Sequence, residues 1–407
     1  MGKETGMEYA VEPGRNKTSF KDLLSNSLQR NIRQYTMVIA LLSIWIIFTI
    51  LTDGIFISSR NLSNLFLQMV TTGFLACGMV LVIVATHIDL SVGSVAGTLG
   101  ALAAFLMVKV GLGPFAAIVL TLIAGVAVGC WHGYWISYQG VPAFIVTLSS
   151  MTAFKGLTLA ITKGATIGEF PEAFTSIGQG YVPKLFFKDA PFNDTSAVIG
   201  IVFIIAYVVF DVLKRNSRKK YGFPVVSLPV QILRIVFAAV IIALACSIMI
   251  GYMGIPYAIL LLIGMVLLFT FITQKTTFGR HVYAIGGNKE AARLSGINIK
   301  QVNFLIFALM GLLNAIAAIV FTARLNAATT AAGNLFELDA IAACFIGGTS
   351  TLGGVGTIYG AIIGALVMAS LDNGMSLMNM EITYQYLIKG MILLLAVWID
   401  FVTKKKA

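Results

Sequence analysis

Ten runs of apolar residues recur along the chain, most of them near twenty residues long: 35–52, 61–86, 91–109, 114–137, 142–162, 197–214, 228–251, 256–273, 301–323 and 384–402. About twenty apolar residues in a helix cross the ~30 Å hydrocarbon layer of a bilayer. Only 11% of the 407 residues are charged, against about 25% in an ordinary soluble domain. A soluble fold would have to hide almost its whole surface, so the runs predict an all-α, polytopic integral membrane protein with about ten transmembrane helices. A further glycine-rich apolar region, 338–372, is interrupted at "GGTSTLGGVG" (Gly347 to Gly356). It reads as two short re-entrant helices or as two more crossings, which makes the range ten to twelve. Broken or re-entrant segments are expected near 86–94 and 338–357.

The net charge of +11 raises the question of nucleic acid, and its distribution answers it. Nineteen of the 28 Lys and Arg fall before residue 34, between Lys214 and Lys220, between Lys275 and Lys300, or at Lys404 to Lys406. Each cluster adjoins an apolar run, which is the positive-inside pattern of cytoplasmic segments. No nucleic-acid partner is expected; the basic ends face anionic membrane lipid. An even count of crossings places both termini in the cytoplasm. The organisation expected is therefore a cytoplasmic tail at 1–34, a transmembrane domain at 35–402, and a basic tail at 403–407. An external loop at 163–196 and a cytoplasmic loop at 274–300 interrupt the domain. The first 34 residues are too long and too acidic for the n-region of a signal peptide, and a short amphipathic lead-in fits Leu23 to Ile32.

Cys77, Cys130, Cys246 and Cys344 stand singly in apolar runs, and His87, His132 and His281 are far apart. Neither set has metal-ligand spacing, so no metal site and no cofactor are expected. "GGTSTLGGVG" lacks the GxxxxGK[ST] of a phosphate loop. Any work with nucleotide must come from another subunit, and no catalytic residue is expected here.

Within "ATHIDLSVGSVAG" (Ala85 to Gly97) an aspartate is embedded in apolar sequence. An ionisable group at membrane depth is costly and usually functional. Asp89 also suits the N-cap of a helix beginning at Leu90, accepting from amides near Ser91 and Val92. The two roles are compatible, since a broken helix turns polar amides toward a cavity. With Ser91, Ser94, Asn314, Thr349 and Ser350, Asp89 forms the candidate substrate pathway. Gln68, Asp339, Asp372 and Asn373 are the other buried polar candidates. Such a pathway is mildly polar and nearly uncharged, which fits a neutral solute better than an ion. "GSVAGTLGAL" (Gly93 to Leu102) is echoed by "GTIYGAIIGAL" (Gly356 to Leu366). Paired glycine-rich segments accompany midplane pathways in transporters and also plain helix packing.

In "GRHVYAIGGNKEAARLSGINIK" (Gly279 to Lys300), Asn288 suits an N-cap, Glu290 a first turn and Gly296 a C′ stop. A helix of about two turns is not stable alone. The modest apolar groups Ala291, Ala292 and Leu294 fit a protein groove better than a bilayer surface.

"IDLSVGS" (Ile88 to Ser94), "VPAFIVTL" (Val141 to Leu148), "YAIGGNKEAARLSGINI" (Tyr283 to Ile299) and "ELDAIAACFIGGTSTLGGVGT" (Glu337 to Thr357) resemble the membrane permeases of monosaccharide ATP-binding-cassette importers. The likeness runs from about residue 35 to the end and is nearest to the xylose and multiple-monosaccharide permeases. It implies a homodimer of permeases, a cytoplasmic ATPase subunit, and an extracellular or periplasmic sugar-binding protein that delivers xylose or another aldose. It also implies that Asn288, Glu290, Ala291, Ala292, Arg293 and Gly296 form the helix that couples to the ATPase. His87 departs from the acidic or other polar residues that often precede "IDLSVGS" in the family. The competing expectation is a proton-coupled secondary sugar transporter in which Asp89, Glu337 or Asp339 titrates.

Overall fold

The computed structural model describes residues 32–186 and 192–405. The tail at 1–31 with most of the amphipathic lead-in, residues 187–191 of the loop after the fifth apolar run, and residues 406–407 lie outside the described residues.

The chain is an all-α, polytopic membrane protein. Its first half holds α1 (Ile32–Leu51), α2 (Ser59–Val84), α3 (Val92–Val108), α4 (Pro114–Ser137) and α5 (Ala143–Thr162). A short α6 (Glu172–Gln179) precedes α7 (Asp194–Lys220), α8 (Leu228–Ile250) and α9 (Tyr257–Lys275). Then come α10 (Thr277–Gly287), α11 (Lys289–Leu294), α12 (Ile299–Leu325), α13 (Phe336–Ile346), α14 (Ile358–Leu377) and α15 (Ile382–Lys405). Among the described residues nine helices are long and apolar enough to cross a membrane; Met37–Leu51 within α1 and the whole of α3 are shorter apolar helices. One two-residue ladder, β1 (Ile167–Gly168) antiparallel to β2 (Ala327–Ala328), ties the loop after α5 to the end of α12.

Helix starts follow local cap chemistry. Asn193 Oδ1 accepts from Ser196 N at 2.9 Å, Asn298 Oδ1 from Gln301 N at 3.1 Å, and Thr357 Oγ1 from Gly360 N at 3.1 Å. Each satisfies one amide that the first helical turn leaves orphaned. Pro114 opens α4 after Gly113, where its missing N–H costs nothing.

The core is built on α2 and α12, each buried along most of its length, while α7, α8 and α15 lie outermost. The helices approach one another through glycine. A side chain at Gly311 on α12 would overlap the Gly125 carbonyl and lie within 3.0 Å of Gly129 on α4. The two glycine-rich echoes pack on opposite parts of one broken element. A side chain at Gly93 or Gly97 of α3 would overlap the carbonyls of Gly333 or Ala332, and one at Gly360 or Gly364 of α14 those of Gly347 or Ala343. Between them run the unwound segment before α13, with Gly333 and Leu335 at φ of 79° and 63°, and α13 itself. Close backbone approach is what small residues at four-residue spacing allow.

The region 338–372 is thus one short helix, α13, a loop, and one full span, α14. The other break runs from Ala85 to Ser91, with Thr86 at φ 65°. Helix α3 begins at Val92 rather than Leu90, because the Asp89 carboxylate takes the Ser91 amide (2.8 Å) and hydroxyl (2.6 Å) from outside the helix. The two intervening residues stay in a turn.

Candidate functional site

At the α3 amino terminus Asp89, Ser91 and Ser94 are all buried. Ser94 Oγ donates to Ser91 O at 2.9 Å. The Glu337 carboxylate of α13 reaches the same helix end, where a side chain at Gly93 would overlap it. Asp89 interacts electrostatically with His132 of α4 and with Glu337. Two carboxylates at one helix amino terminus are stabilised by its free amides and macrodipole. One turn further along, Thr98 Oγ1 and Thr158 Oγ1 are 2.9 Å apart and join α3 to α5. The result is a buried polar seam where the two broken segments meet.

The other pathway candidates do not join this seam. Asn314 is buried on α12 with its Oδ1 unpaired. Thr349 and Ser350 are buried in the loop after α13. That loop packs on the end of α2 through Gly354 N to Val84 O at 2.9 Å. Thr351 N and Oγ1 anchor it to the Asp400 carboxylate of α15 at 3.0 and 2.9 Å.

Lys389, Arg234, Asp211 and Lys155 are intramembrane charges that escaped the sequence reading. Lys389 of α15 lies 3.0 Å from Asp339 of α13 and 2.9 Å from Asp372 of α14, joining three helices. Arg234 of α8 pairs with Asp211 of α7. Lys155 stands in the middle of α5 on a face exposed in the single chain, in line with exposed Ser149 and Thr152, and interacts electrostatically with Glu337. The signal that would have found them is plain: a charge inside an apolar run needs a partner.

At the end of the bundle carrying α10 and α11, a groove of about 750 Å³ is lined by Thr86, His87, Ser137, Lys289, Arg293 and Asn303. Burial and the nearby Lys289 ammonium push the His87 imidazole down to about 4, with Asn303 opposing. A base whose folded pKa lies below its unfolded value of about 6.5 loses stability as pH falls through that interval, since only the unfolded chain takes the proton. The protein is expected to lose about 2 kcal/mol between pH 7.5 and 5 from this residue. Thermal unfolding of the purified protein across that range measures it, and His87→Gln is expected to flatten the slope.

On α11 the cap is as the sequence suggested. Asn288 Oδ1 accepts from Ala291 N at 2.9 Å. Gly296 has φ 82°, and Ile297 N to Ala292 O with Gly296 N to Arg293 O closes a Schellman turn. Ala292 is buried against the bundle, whereas Glu290, Ala291, Arg293 and Gly296 are exposed and Leu294 is 80% exposed. Glu290 and Arg293 pair at 2.9 Å on that open face.

The family model described as the branched-chain amino acid transport system / permease component matches residues 61–219 and 180–397. The chain is 44% identical over 377 residues to the xylose transport system permease protein of Escherichia coli K12, covering 93% of this chain and 94% of that one. It is 44% identical to the xylose transport system permease protein of Haemophilus influenzae, over 92% of this chain and 98% of that one. To the ribose import permease protein of Bacillus subtilis it is 34% identical over 88% of this chain and 90% of that one. No solved structure gives a significant match.

Proposed function

The chain belongs to the branched-chain amino acid transport system / permease component family, and we propose that it is the membrane subunit of an ATP-binding-cassette importer of xylose. The observation that carries this reading is the 44% identity to a xylose permease over 93% of the chain. The bundle suits a neutral solute, because two of its buried carboxylates are tied up. Asp89 is held by Ser91 and Asp339 by Lys389, which leaves proton-coupled transport without a free titrating group at either.

The basic clusters support a cytoplasmic α10–α11 end and cytoplasmic termini, with α6 outside. The chain has no Lys-bearing phosphate loop, so a separate cytoplasmic ATPase supplies the energy and an external binding protein supplies the sugar. ATP-driven closure of the ATPase moves α11, and α11 tilts the bundle through its buried Ala292. The exposed Lys155 face of α5 supports a second copy of the chain as partner. Facing lipid at mid-helix, an ammonium costs about 2.5–3.5 kcal/mol on insertion scales, and the partner's surface would cover it.

Xylose uptake by cells carrying the whole importer tests the reading. Loss on ATP depletion with arsenate, survival with a protonophore, and loss on deletion of this gene are expected. The reverse sensitivities would overturn it. Leu294→Asp is expected to cut uptake at least tenfold with the permease still in the membrane at its normal level. It places a charge on the one large apolar side chain that α11 presents outward, and burying an unpaired charge at a contact costs several kcal/mol. Quantitative immunoblotting of membranes beside the uptake assay checks it.

A further inference from the structure

Asn61, Asn64 and Gln68 fall three and four residues apart on α2, so one face of this core helix carries three carboxamides. A helix passing through lipid has no use for such a face. It lines a cavity of about 470 Å³, closed by Arg324 at the end of α12, Asn373 on α14 and Tyr181 after α6. Sites for small molecules run from roughly 300 to 1,000 Å³.

The floor of this cavity is fixed. Asn61 Nδ2 donates to Asn373 Oδ1 at 2.7 Å and Asn373 Nδ2 returns a bond to Asn61 Oδ1 at 3.1 Å. Asn61 Nδ2 also donates to Phe56 O at 2.8 Å. The walls carry unspent capacity. Arg324 Nε is buried with no hydrogen-bond partner, and among the described residues no carboxylate pairs with this guanidinium. Asn64 and Gln68, both partly exposed, likewise make no side-chain hydrogen bond among the described residues. Gln179 Nε2 spends one bond on Arg324 O at 2.9 Å and so holds α6 over the mouth.

We propose that this cavity is a binding site for a neutral, polyhydroxylated solute of monosaccharide size, one in each permease subunit, on the side where α6 lies. A carboxamide both donates and accepts, as a hydroxyl does. The carboxamide oxygens of Asn64 and Gln68 need a donor, which a hydroxyl supplies and a carboxylate or other anion does not. The guanidinium fork presents parallel N–H groups to a pair of neighbouring hydroxyls. The site rests on the importer reading for the identity of its sugar, xylose, and for its facing the external medium. It would hold sugar released by the external partner before the sugar enters the path. A site that must pass its load onward is weak, with a Kd of about 1–10 mM.

The test uses membranes that carry the intact complex, washed free of the external binding protein. Ser376→Cys and Leu377→Cys variants, on the α14 wall of the cavity, that retain arsenate-sensitive xylose uptake are labelled with a membrane-impermeant maleimide, the parent chain with its own four cysteines serving as background. Xylose at about 50 mM is expected to slow labelling of both at least threefold, with half-protection near the Kd. Sodium acetate at the same concentration is expected to leave the rate unchanged. Equal protection by acetate would make this an anion site and overturn the proposal. So would labelling that xylose does not slow, or thiols that never label from outside. Absence of protection with arsenate-sensitive uptake intact removes this site alone, whereas loss of that uptake pattern in the unaltered importer removes the transport reading.

Discussion

Replacing Lys389 with methionine is expected to destabilise the permease by roughly 3–5 kcal/mol, the cost of stranding a buried charge whose partner is gone. Two charges would be stranded here. The Lys389 ammonium lies 3.0 Å from Asp339 and 2.9 Å from Asp372, and its own side chain is 12% exposed. Without it two like charges lie together, Asp339 7% and Asp372 32% exposed in their side chains, and each disfavours the other's ionised form. Because Asp339 is on α13, Asp372 on α14 and Lys389 on α15, repulsion would part three helices at once. The expected readout is a protein that reaches the membrane in small amounts, aggregates on extraction and supports no uptake. The triple variant Lys389→Met, Asp339→Asn, Asp372→Asn is the decisive control. It removes every charge and keeps the shape, so restored extraction with a single sharp elution peak is expected. If the triple variant behaves no better than the single one, the lysine has a role beyond neutralisation.

Gly129→Val is expected to abolish assembly, a larger effect than most substitutions produce. A Cβ at this position would overlap the Phe307 carbonyl and lie 3.0 Å from the Cα atoms of both Ala308 and Gly311. These are backbone atoms of α12, so no rotamer change relieves the clash; α4 and α12 would have to separate. Over-packing of a close-packed site usually costs about 1–3 kcal/mol and more where nothing can yield. Gly264→Val on α9 is the matched control, since nothing lies within 4 Å of its Cβ position. Membrane abundance and thermal stability after extraction should fall for the first variant and stay within about 0.5 kcal/mol for the second. Equal tolerance of both would mean that the α4–α12 contact is looser than its backbone distances state.

Local chemistry was legible from the chain alone. The apolar runs set the spans, because backbone groups in lipid must be satisfied within their own helix. Asn288 and Gly296 bounded α11, since caps act over three or four residues. Asp89 announced a turn beside α3 for the same reason, and the error of two residues in where α3 starts came from a carboxylate that caps from outside the helix. The resemblance to monosaccharide permeases rested on continuous stretches such as "IDLSVGS", which need no tertiary knowledge.

Which face of each helix looks inward was not legible. In a soluble protein the polar face marks the outside, but in a bilayer lipid is as apolar as the core, so the pattern that would orient a helix is erased. Helices α2 and α8 are both apolar enough to cross a membrane, yet the first is almost wholly buried and the second almost wholly exposed. The same loss of signal hid the partners of the charges: Lys389 and Asp339 are fifty residues apart in sequence and 3.0 Å apart in space. Gln68 was visible as a buried polar candidate, but the cavity it lines with Asn61 and Asn64 required α12 and α14 to close it. Interactions that span a few residues were enough to read the class of molecule, its breaks and its family from the chain. Which glycines touch, which charges pair and where a solute could sit depend on contacts between helices, and lipid leaves those unmarked in the pattern of residues.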